Sequence, residues 1–471
     1  MQRAGAAAFA ALLDRWPGLS HITVFCGKGN NAGDGYLIAG LAAEVGITVQ
    51  LVQLGDPATL ADDAALARDW ADAKAVQPQA CATELPQIRG QMIVDALLGT
   101  GLTGAPRGLY AAAIEQINDS GLPVLAVDVP SGVDADTGGV AGSAVNADVT
   151  VTFIVRKLGT YTGTGRAAAG EIRFADLGVG TDITDRDAGV LLLEFDTLPP
   201  YLHPPRRTAA AYKHALGHVL VVGGDESMGG APLLAGEAAL RVGAGMVTVA
   251  TRACHRPAML ARRPELMVVD ADDGEALHAA FERASTLIVG PGLGRASWGR
   301  RLLEQSIEQA KPMLLDADGL NGLAASGLAV KAPTVVTPHA SEAATLLGQS
   351  VAEVQLDRPA AALALAERVA AAGCGVSVLK GAGSVIAEQN SSAGGLLGVC
   401  GHGNPGMASA GMGDVLSGVI GGLMAQGMSA AAAAQLGVTV HSRAADVAVE
   451  RTGERGLLAT DLLPEMMRLL K

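Results

Sequence analysis

Three loops in the N-terminal half combine glycines with acidic and amide side chains. The sequence GNNAGDG at 29–35 follows the apolar run 22–26, and Asp95 and Asp128 open two later loops after apolar runs. Glycines let a ligand approach the backbone, and a helix beginning after the first loop would present its N-terminal N–H groups to an anion. The carboxylate and amide oxygens suit a polar ligand or a hard cation. A turn that is simply rich in glycine and asparagine is the alternative.

The glycine spacing of the first loop is typical of a dinucleotide-binding fingerprint. Such a fingerprint places an acidic residue at the end of the second strand, and the candidate, Asp56, comes late and precedes a proline. An isolated aspartate at a strand end usually caps a helix or a turn. Three such loops in succession favour a shared site, because the carboxyl ends of parallel strands meet at one sheet edge. We therefore expect Asp95 and Asp128 to converge on the first loop.

The C-terminal half repeats this arrangement with other residues. Glycine-rich turns follow apolar runs at 223–225 and 290–294, while Asp316, Asp318 and His339 follow further apolar runs. A lone acid or histidine is usually a cap or a core residue. Their recurrence at strand ends favours a binding site there.

The strongest chemical signal is NPGMASAGMGD at 404–414, which joins small residues to the expected start of a helix. The N–H groups of Ala410–Gly413 would stabilise a phosphoryl group during transfer. Asp414 would accept the proton of an attacking hydroxyl. The sequence KGAGS at 380–384 adds a lysine and a second loop of small residues. Together these segments indicate a phosphoryl-transfer site.

Alternating β-branched and alanine-rich stretches predict the elements that position these loops. In the N-terminal half we expect strands at 22–26, 48–54, 92–96, 124–129 and 149–155, with helices at 34–44, 58–73 and 108–118. In the C-terminal half we expect strands at 218–222, 246–250, 286–289, 313–315, 335–337 and 376–379, with helices at 231–242, 301–309, 341–347 and 358–372. This alternation predicts an α/β fold with parallel sheets.

Length and proline content divide the chain in two. A single core rarely supports 471 residues, so two domains are expected. Four of the seven residues at 199–205 are prolines, which neither a helix nor a central strand continues. We therefore predict domains at 1–200 and 204–471.

Charge and cysteine content exclude several function classes. With 34 basic and 47 acidic residues the formal net charge is −13, which argues against nucleic-acid and anionic-membrane partners. The five cysteines form no CxxC pair, which argues against a zinc cluster and favours a reducing, cytoplasmic compartment. The uncharged stretch Val415–Val440 has the length of a membrane span, but its alanine and glycine content and a break at 426–429 favour two buried helices.

The N-terminal motifs GNNAGDG, DALLGTGLTG (95–104) and DVPSGVDADTG (128–138) resemble the NAD(P)H-hydrate epimerase family over roughly residues 1–175. The resemblance implies a Rossmann-like three-layer domain that interconverts the R and S forms of hydrated NADH and NADPH. The residues that it implies for substrate binding are Asn30, Asn31, Ala32, Gly33, Asp34, Gly99, Thr100, Gly101, Leu102, Thr103, Gly104, Ala105 and Asp128. It also implies a K⁺ site at Asn31, Asp95 and Ser131.

Epimerisation at C6 of the hydrated nicotinamide needs a group that helps hydroxide to leave and return, and Asp128 is the expected acid or base. Lys157 is a second candidate near the same sheet end, and an ordinary surface lysine is the alternative interpretation. The epimerase family normally has a further segment before the helix that begins here at Met1. An N-terminal helix of that family is therefore expected to be missing.

The C-terminal motifs resemble the ADP-dependent NAD(P)H-hydrate dehydratases of the ribokinase-like superfamily over roughly residues 208–471. The motifs are GPGLG (290–294), LDADGLN (315–321), TPHASE (337–342), KGAGS and NPGMASAGMGD. The implied contacts to the hydrated dinucleotide are Ala231, Gly292 or Gly294, His339 and Asp414. The implied ADP contacts are Lys380, Gly381, Ala382, Gly383, Ser384 and Gly413. Ala340 stands where the family often has proline.

The resemblance implies that Asp414 activates the C6 hydroxyl of the S hydrate to attack the β-phosphate of ADP, and that AMP, phosphate and NAD(P)H are released. Mg²⁺ is expected with the nucleotide, although no protein-only cage is visible. The predicted protein is thus a two-domain repair enzyme for hydrated NADH and NADPH. We expect a homo-oligomer with neither a nucleic-acid nor a membrane partner.

Three other functions stay open from the sequence. An alcohol kinase on the same ribokinase-like scaffold would use the same chemistry at Asp414 and leave a stable phosphorylated product. A nucleotide-sensing regulator would need a DNA-binding helix pair with a basic face, which is not apparent. A dehydrogenase would need a hydride-transfer constellation beyond the glycine loop.

Overall fold

The computed structural model describes residues 1–179, 189–207, 209–370, 373–390 and 394–471. Contacts within the chain define two compact units, Met1–Ala188 and Gly189–Lys471. Each unit is built on one sheet with helices packed against it, so the predicted α/β class is confirmed.

The first unit contains a seven-stranded sheet, parallel throughout, in the order β3–β2–β1–β4–β5–β6–β7. Its strands are β1 (His21–Cys26), β2 (Thr48–Leu54), β3 (Pro78–Cys81), β4 (Ile93–Ala96), β5 (Val124–Val127), β6 (Val149–Phe153) and β7 (Glu171–Ala175). Its helices are α1 (Gln2–Arg15), α2 (Asn30–Glu44), α3 (Asp62–Asp72), α4 (Leu109–Asp119) and α5 (Gly163–Ala169).

Side chains of the first sheet pack into two separate hydrophobic cores, one on each face of the sheet. Successive residues of a strand point to opposite faces. Val24 accordingly belongs to the core that also contains residues of α1, α2 and α3, while Phe25 belongs to the core that contains Ile114 of α4. The unit therefore has the three-layer arrangement that the sequence predicts.

Two central strands of the first unit end earlier than predicted. β5 ends at Val127 and β6 ends at Phe153, because the next residues, Asp128 and Ile154, have φ angles of +68° and +65°. A positive φ breaks the extended backbone and is uncommon outside glycine. The edge strand β3 was not predicted, since it begins with Pro78 and lacks an apolar run.

The second unit contains a ten-stranded mixed sheet in the order β11–β10–β9–β12–β13–β14–β15–β16–β17–β8. Its strands are β8 (Leu191–Leu193), β9 (His218–Val222), β10 (Met246–Thr251), β11 (Met267–Asp270), β12 (Thr286–Val289), β13 (Met313–Leu315), β14 (Thr334–Val336), β15 (Cys374–Leu379), β16 (Val385–Asn390) and β17 (Gly394–Cys400). The strands from β11 to β15 are parallel, whereas β16 is antiparallel to both of its neighbours.

The helices of the second unit include the two that the uncharged stretch 415–440 predicts. They are α6 (Gly230–Arg241), α7 (Arg256–Arg262), α8 (Gly274–Arg283), α9 (Ser297–Glu308), α10 (Asp318–Ser326), α11 (Ala340–Leu347), α12 (Val351–Leu356), α13 (Arg358–Arg368), α14 (Met412–Ala425), α15 (Ala430–Thr452) and α16 (Leu462–Leu469). The predicted end of the helix at 358–372 lies outside the described residues.

Helix α14 carries the last three residues of the phosphoryl-transfer motif, 412–414, and packs tightly on α6. A Cβ at Gly418 would lie 2.2 Å from the Ala235 carbonyl oxygen, so this close approach of the two helices requires glycine. In the part of the chain that the structure describes, no helix combines the length and the apolar character that crossing a bilayer requires.

The division between the units lies upstream of the predicted boundary. Strand β8 pairs with β17 through the register Gly398↔Leu191 to Cys400↔Leu193, and therefore belongs to the second unit although it precedes the prolines. Its short apolar run carries too little signal for this pairing. Residues 180–188 and 208, on either side of the predicted boundary, lie outside the described residues.

Candidate functional site

Each sheet has one point where the strand order reverses, and the predicted motifs follow the strands around it. In the first unit β1 lies between β2 and β4, and in the second unit β9 lies between β10 and β12. Ligands of open α/β sheets bind beyond the carboxyl ends of strands at such a point. The structure thus provides one candidate site in each unit.

In the first unit, the glycine loop passes directly into helix α2. The helix begins at Asn30 instead of the predicted Asp34, so the polar residues occupy its first turns. Its N-cap, Gly29, makes no side-chain hydrogen bond to the first N–H groups. A Cβ at Gly27 would lie 1.9 Å from the Leu97 carbonyl oxygen, so the loops after β1 and β4 meet only because residue 27 is glycine.

The three residues of the implied K⁺ site are linked through the backbone of Leu98. The Asn31 Nδ2 donates to the Leu98 carbonyl at 3.0 Å, and the Leu98 N–H donates to the Ser131 Oγ at 2.8 Å. The Ser131 hydroxyl and N–H in turn donate to the two oxygens of Asp95 at 2.6 and 2.8 Å. The structure therefore brings Asn31, Asp95 and Ser131 together, as the sequence predicts.

Asp95 is fully buried, and burial raises its pKa to about 6 in spite of the hydrogen bonds from Ser131 and the Leu97 N–H. A buried carboxylate is costly unless a cation or several donors compensate it. Oxygen atoms of a carboxylate, a hydroxyl and an amide are ligands that suit a hard cation such as K⁺. The donor set at this position therefore fits the implied ion.

Asp128 lies at the end of β5 and is held by three donors. Its Oδ1 accepts from the Thr152 hydroxyl and the Phe153 N–H, each at 3.2 Å, and from the ammonium of Lys157. Lys157 also donates to the Phe153 carbonyl at 2.8 Å. The side chain of Lys157 is only 12% exposed, so it is not the surface lysine that the sequence left open.

Asp34 lies in the first turns of α2, and its Oδ1 is buried with no hydrogen-bond partner among the described residues. Burial raises the pKa of Asp34 to about 7, and the negative charge of Asp128 adds to this effect. The negative charge of Asp128 therefore acts on the Asp34 carboxyl. A proton can reside on Asp34 near neutral pH.

The loop after β4 forms an accessible border of the same site. Gly99 lies against Asn31, since a Cβ at Gly99 would be 3.4 Å from that of Asn31. Along the rest of the loop the exposed and half-buried residues are Thr100, Gly101, Leu102, Thr103, Gly104 and Ala105. Asn30 is exposed at the start of α2, whereas Ala32 and Gly33 are buried in it.

The sequence reasoning missed two residues that support the first loop, Gln53 and Tyr36. Gln53 of β2 is fully buried, donates to the Gly27 carbonyl at 2.5 Å and accepts from the Tyr36 hydroxyl at 3.0 Å. A glutamine inside an apolar run is the sequence signal that could have revealed Gln53.

Asp56, the acidic residue that a dinucleotide-binding fingerprint would need, has another role. Its side chain accepts from the Ala58 N–H at 2.8 Å and caps a short turn.

In the second unit, Lys380 and Asp316 form the centre of the candidate site. The Lys380 ammonium donates to Asp316 Oδ1 at 2.7 Å, and the Ser417 hydroxyl of α14 donates to Asp316 Oδ2, also at 2.7 Å. Burial alone would lower the pKa of Lys380, but the charges of Asp316, Glu342 and Asp414 outweigh it and raise the pKa. The lysine is thus held in its charged form between carboxylates.

Asp414 lies in the first turn of α14, two residues after the start of the helix at Met412. Burial and the negative charge of Asp316 raise its pKa, and Lys380 partly offsets both, so that the pKa is about 7. Gly411 has a φ of +88° and forms the N-cap without a side-chain hydrogen bond, so the first N–H groups of α14 have no side-chain cap. A Cβ at Gly413 would lie 3.3 Å from the Lys380 ammonium, which joins the two motifs.

The remaining predicted residues follow β9, β12 and β14 around this centre. A Cβ added at Gly292 would lie 3.3 Å from the Cβ of Ala231. A Cβ added at Gly294 would lie 2.8 Å from Asp225 Oδ2, so both glycines lie against neighbouring loops. His339 caps α11, and its backbone N–H donates to Glu342 at 2.8 Å. Ala340 is the first residue of that helix, a position where proline fits equally well.

The loop KGAGS follows β15, and Arg358 of α13 lies against it. Gly381 and Ala382 are exposed, Ser384 is half-buried, and Gly383 is buried with a φ of +61°. Sequence reasoning missed Arg358, since an arginine at the start of a predicted helix carries no local signal of burial.

Comparison with known proteins finds a matching family model for each unit. Residues 219–468 match the family model described as NAD(P)H-hydrate dehydratase, and residues 1–159 match that of the YjeF-related protein N-terminus. The bifunctional NAD(P)H-hydrate repair enzyme Nnr of Coxiella burnetii is 48% identical over 99% of this chain and 93% of its own length. The chain belongs to the bifunctional NAD(P)H-hydrate repair enzyme family. The family member from Escherichia coli is 43% identical over 100% of this chain and 89% of its own length.

A solved structure supports the same assignment for the C-terminal unit. The ADP/ATP-dependent NAD(P)H-hydrate dehydratase of Bacillus subtilis, co-crystallised with ATP and Mg²⁺, aligns with a TM-score of 0.52 and 25% identity. The alignment covers 60% of this chain and 98% of that one. A ribokinase-like superfamily protein of Enterococcus faecalis aligns with a TM-score of 0.53 and 26% identity over 60% of this chain and 96% of that one, which confirms the ribokinase-like fold predicted for the second unit.

Proposed function

We propose that this member of the repair family restores hydrated NADH and NADPH in two steps, one in each unit. The first unit interconverts the R and S hydrates. The second unit dehydrates the S hydrate at the expense of ADP, with release of AMP and phosphate. Epimerisation and dehydration belong together, because both epimers form and the dehydratase accepts one of them.

In the first unit, Asp128 is the acid and base of the proposed epimerisation. It protonates the C6 hydroxyl, water leaves, and the ring nitrogen lone pair forms a double bond to C6. Water then adds to the opposite face of the ring and returns a proton to Asp128, so the atoms balance. Lys157 and the donors from β6 hold the carboxylate in place.

In the same site, the open N–H groups at the start of α2 and the loop 99–105 are proposed to bind the hydrated nucleotide. Asn31, Asp95 and Ser131 would hold K⁺. A bound K⁺ would compensate the buried charge of Asp95 and fix the loops that follow β4 and β5.

In the second unit, Asp414 is proposed to remove the proton from the C6 hydroxyl of the S hydrate. The hydroxyl oxygen attacks the β-phosphorus of ADP, and the bond to the oxygen of AMP breaks. The C6–O bond then breaks, phosphate leaves with the bonding electrons, and loss of a proton from C5 restores the dihydronicotinamide. Lys380 and the first N–H groups of α14 are proposed to stabilise the negative charge that develops on the phosphoryl group.

The proposed dehydratase takes ADP together with Mg²⁺ as one substrate complex. Among the described residues no group of three His, Cys, Asp or Glu side chains is placed to hold a metal ion. A Mg²⁺ ion bound to phosphates needs few protein ligands. His339, Ala231 and the glycines 292 and 294 are proposed to contact the hydrated dinucleotide, while residues 380–384 and Gly413 contact ADP.

The observation that carries the proposal is Asp414, a carboxyl with a pKa near neutrality at an uncapped helix N-terminus beside a charged lysine. A mixture of the R and S hydrates of NADH, incubated with and without ADP, tests it through recovery of the dihydronicotinamide absorbance. Full ADP-dependent recovery, faster than spontaneous epimerisation, is expected. Recovery that stalls at the S fraction would contradict the epimerase, and no recovery with ADP or ATP would contradict the dehydratase.

A homo-oligomeric assembly and a cytoplasmic location complete the proposal. Light scattering tests the assembly, and fractionation of source cells tests the location. A monomeric mass, or recovery with the membrane fraction, would contradict these two parts without affecting the chemistry.

A further inference from the structure

Among the fully buried side chains of the described residues, the largest belongs to a charged residue, Arg358. It is 1% exposed and forms the first residue of α13. Burial lowers the pKa of Arg358 to about 10, so the guanidinium still carries its charge at neutral pH. Burying a cation is costly, and the N-terminus of a helix is the end that disfavours positive charge. Stability of α13 therefore gives no reason for an arginine here.

The contacts of Arg358 converge on the start of the loop proposed to bind ADP. One terminal nitrogen, Nη2, donates to the carbonyls of Leu379 and Lys380 at 3.0 and 3.2 Å. The other, Nη1, donates to Gln355 Oε1 at 3.1 Å, which orients the guanidinium plane. The two carbonyls belong to the last residue of β15 and the first residue of the loop, so the guanidinium fixes the joint between them.

This joint controls where the loop presents its N–H groups. A trans peptide unit directs its carbonyl and its N–H to opposite sides. With the Lys380 carbonyl held on the guanidinium, the Gly381 N–H points away from Arg358. Gly381 has a φ of +148°, and a Cβ there would lie 3.0 Å from Arg358 Nη2, so the loop rests directly on the guanidinium.

The same joint places the side chain of Lys380. The Lys380 N–H donates to the Pro338 carbonyl at 2.8 Å, and its carbonyl is held by Arg358. Both ends of this residue are therefore fixed while its ammonium reaches Asp316. Displacement of the joint would move the loop, while the ion pair with Asp316 keeps the lysine ammonium in place.

We propose that Arg358 is a positioning residue for ADP. Its guanidinium holds the joint at Lys380 and Gly381, so that the loop faces the nucleotide phosphates. Its buried positive charge also favours binding of the nucleotide anion. This inference rests on the proposed function of the second unit. The loss of Arg358 should weaken ADP binding without changing the chemistry at Asp414.

The test is calorimetric titration of the full chain with ADP, combined with KM and kcat for ADP in the dehydratase assay. R358Q should raise the Kd and the KM for ADP by more than about tenfold, since the guanidinium hydrogen bonds to the Leu379 and Lys380 carbonyls are lost, while kcat at saturating ADP stays within about threefold. R358K should recover part of the affinity, because lysine supplies the charge without the planar fork. R368Q, a change of an exposed arginine at the other end of α13, is the matched control and should leave ADP binding unchanged.

A folded R358Q protein that binds ADP as tightly as the unmodified chain would overturn the inference, as would a lower Tm with an unchanged KM. If R358Q fails to fold, Q355L replaces it, because this change keeps the charge and removes only the contact that orients it. Q355L should raise the Kd for ADP by about threefold, and an unchanged Kd would overturn the inference. If the unmodified chain binds no ADP, the proposed function fails together with the inference.

Discussion

Asp128 in the first unit and Asp414 in the second are both proposed to move a proton at C6 of the same nicotinamide ring, but the fold supports them differently. Asp128 follows a strand, has a φ of +68° and accepts from Lys157 and two donors of β6. Asp414 lies in the first turn of a helix, where burial and the negative charge of Asp316 raise its pKa. The Lys380 ammonium donates its hydrogen bond to Asp316, and its positive charge only partly offsets the raised pKa of Asp414.

The difference corresponds to the two reactions. An epimerase must both give and take a proton in each turnover, and an adjacent ammonium stabilises the carboxylate to which the proton returns. The dehydratase needs a base that is free before the hydroxyl attacks, and a pKa near neutrality makes that base stronger. A strand end places one carboxylate and a helix start places the other, while the neighbours of each determine what it does.

The variant D414N should have the largest effect, because it should abolish one of the two activities and spare the other. This variant retains the shape of the side chain but removes the base, so kcat for dehydration of the S hydrate should fall about 10²- to 10⁴-fold. Epimerisation, followed in the same sample by chromatography of the R and S hydrates, should keep its rate and serves as the internal control. Retained dehydration would refute the role of Asp414.

The variant D128A should have the opposite effect, with loss of epimerisation and retention of dehydration. The rate of enzymatic epimerisation should fall about 10²- to 10⁴-fold because the proton carrier is gone, while ADP-dependent dehydration of pure S hydrate stays unchanged. D136A changes an exposed aspartate eight residues later and is the matched control. If D128A epimerises at the rate of the control, another residue performs the reaction.

A smaller effect is expected from K157Q, which keeps Asp128 but removes the ammonium beside it. Because the carboxylate is then less firmly held, epimerisation should slow by about ten- to a hundredfold, with dehydration unaffected. K74Q, a change of an exposed lysine in the same unit, should leave both rates as they are. Equal epimerisation rates for K157Q and K74Q would mean that Asp128 acts without its partner.

The smallest effect is a difference in pH dependence. Asp414 acts as a base only when deprotonated, and burial raises its pKa to about 7. The kcat/KM for S hydrate should therefore fall about tenfold per pH unit below about pH 7 and level off above it. Initial rates between about pH 5.5 and 8.5 measure this profile, and a flat profile would contradict the raised pKa.

The sequence predicted several strand bounds and the grouping of three strand-end residues, because these residues lie in local motifs. β9, β12 and β13 have the predicted bounds, and Asn31, Asp95 and Ser131 are linked as expected. Strand-end aspartates converge whenever a parallel sheet forms, so the pattern alone places them.

The supporting residues could not be predicted in the same way. Arg358 precedes the loop it holds by 22 residues, and its burial results from packing of α13 against the sheet. Gln53 is buried beneath the first loop only because β2 pairs with β1. The ion pair of Lys157 with Asp128 depends on the turn at Ile154, whose φ of +65° no local propensity favours.

Two separate sites that act in sequence on one substrate should complement each other when variants lacking either one are mixed. D414N and D128A are each incubated with ADP and a mixture of R and S hydrates of NADH, alone and then together, and dihydronicotinamide absorbance is followed. D414N alone should recover nothing beyond the blank, D128A alone should stall at the S fraction, and the two together should convert the whole mixture. Full rapid conversion by D128A alone, or no gain from mixing, would contradict the two-site reaction.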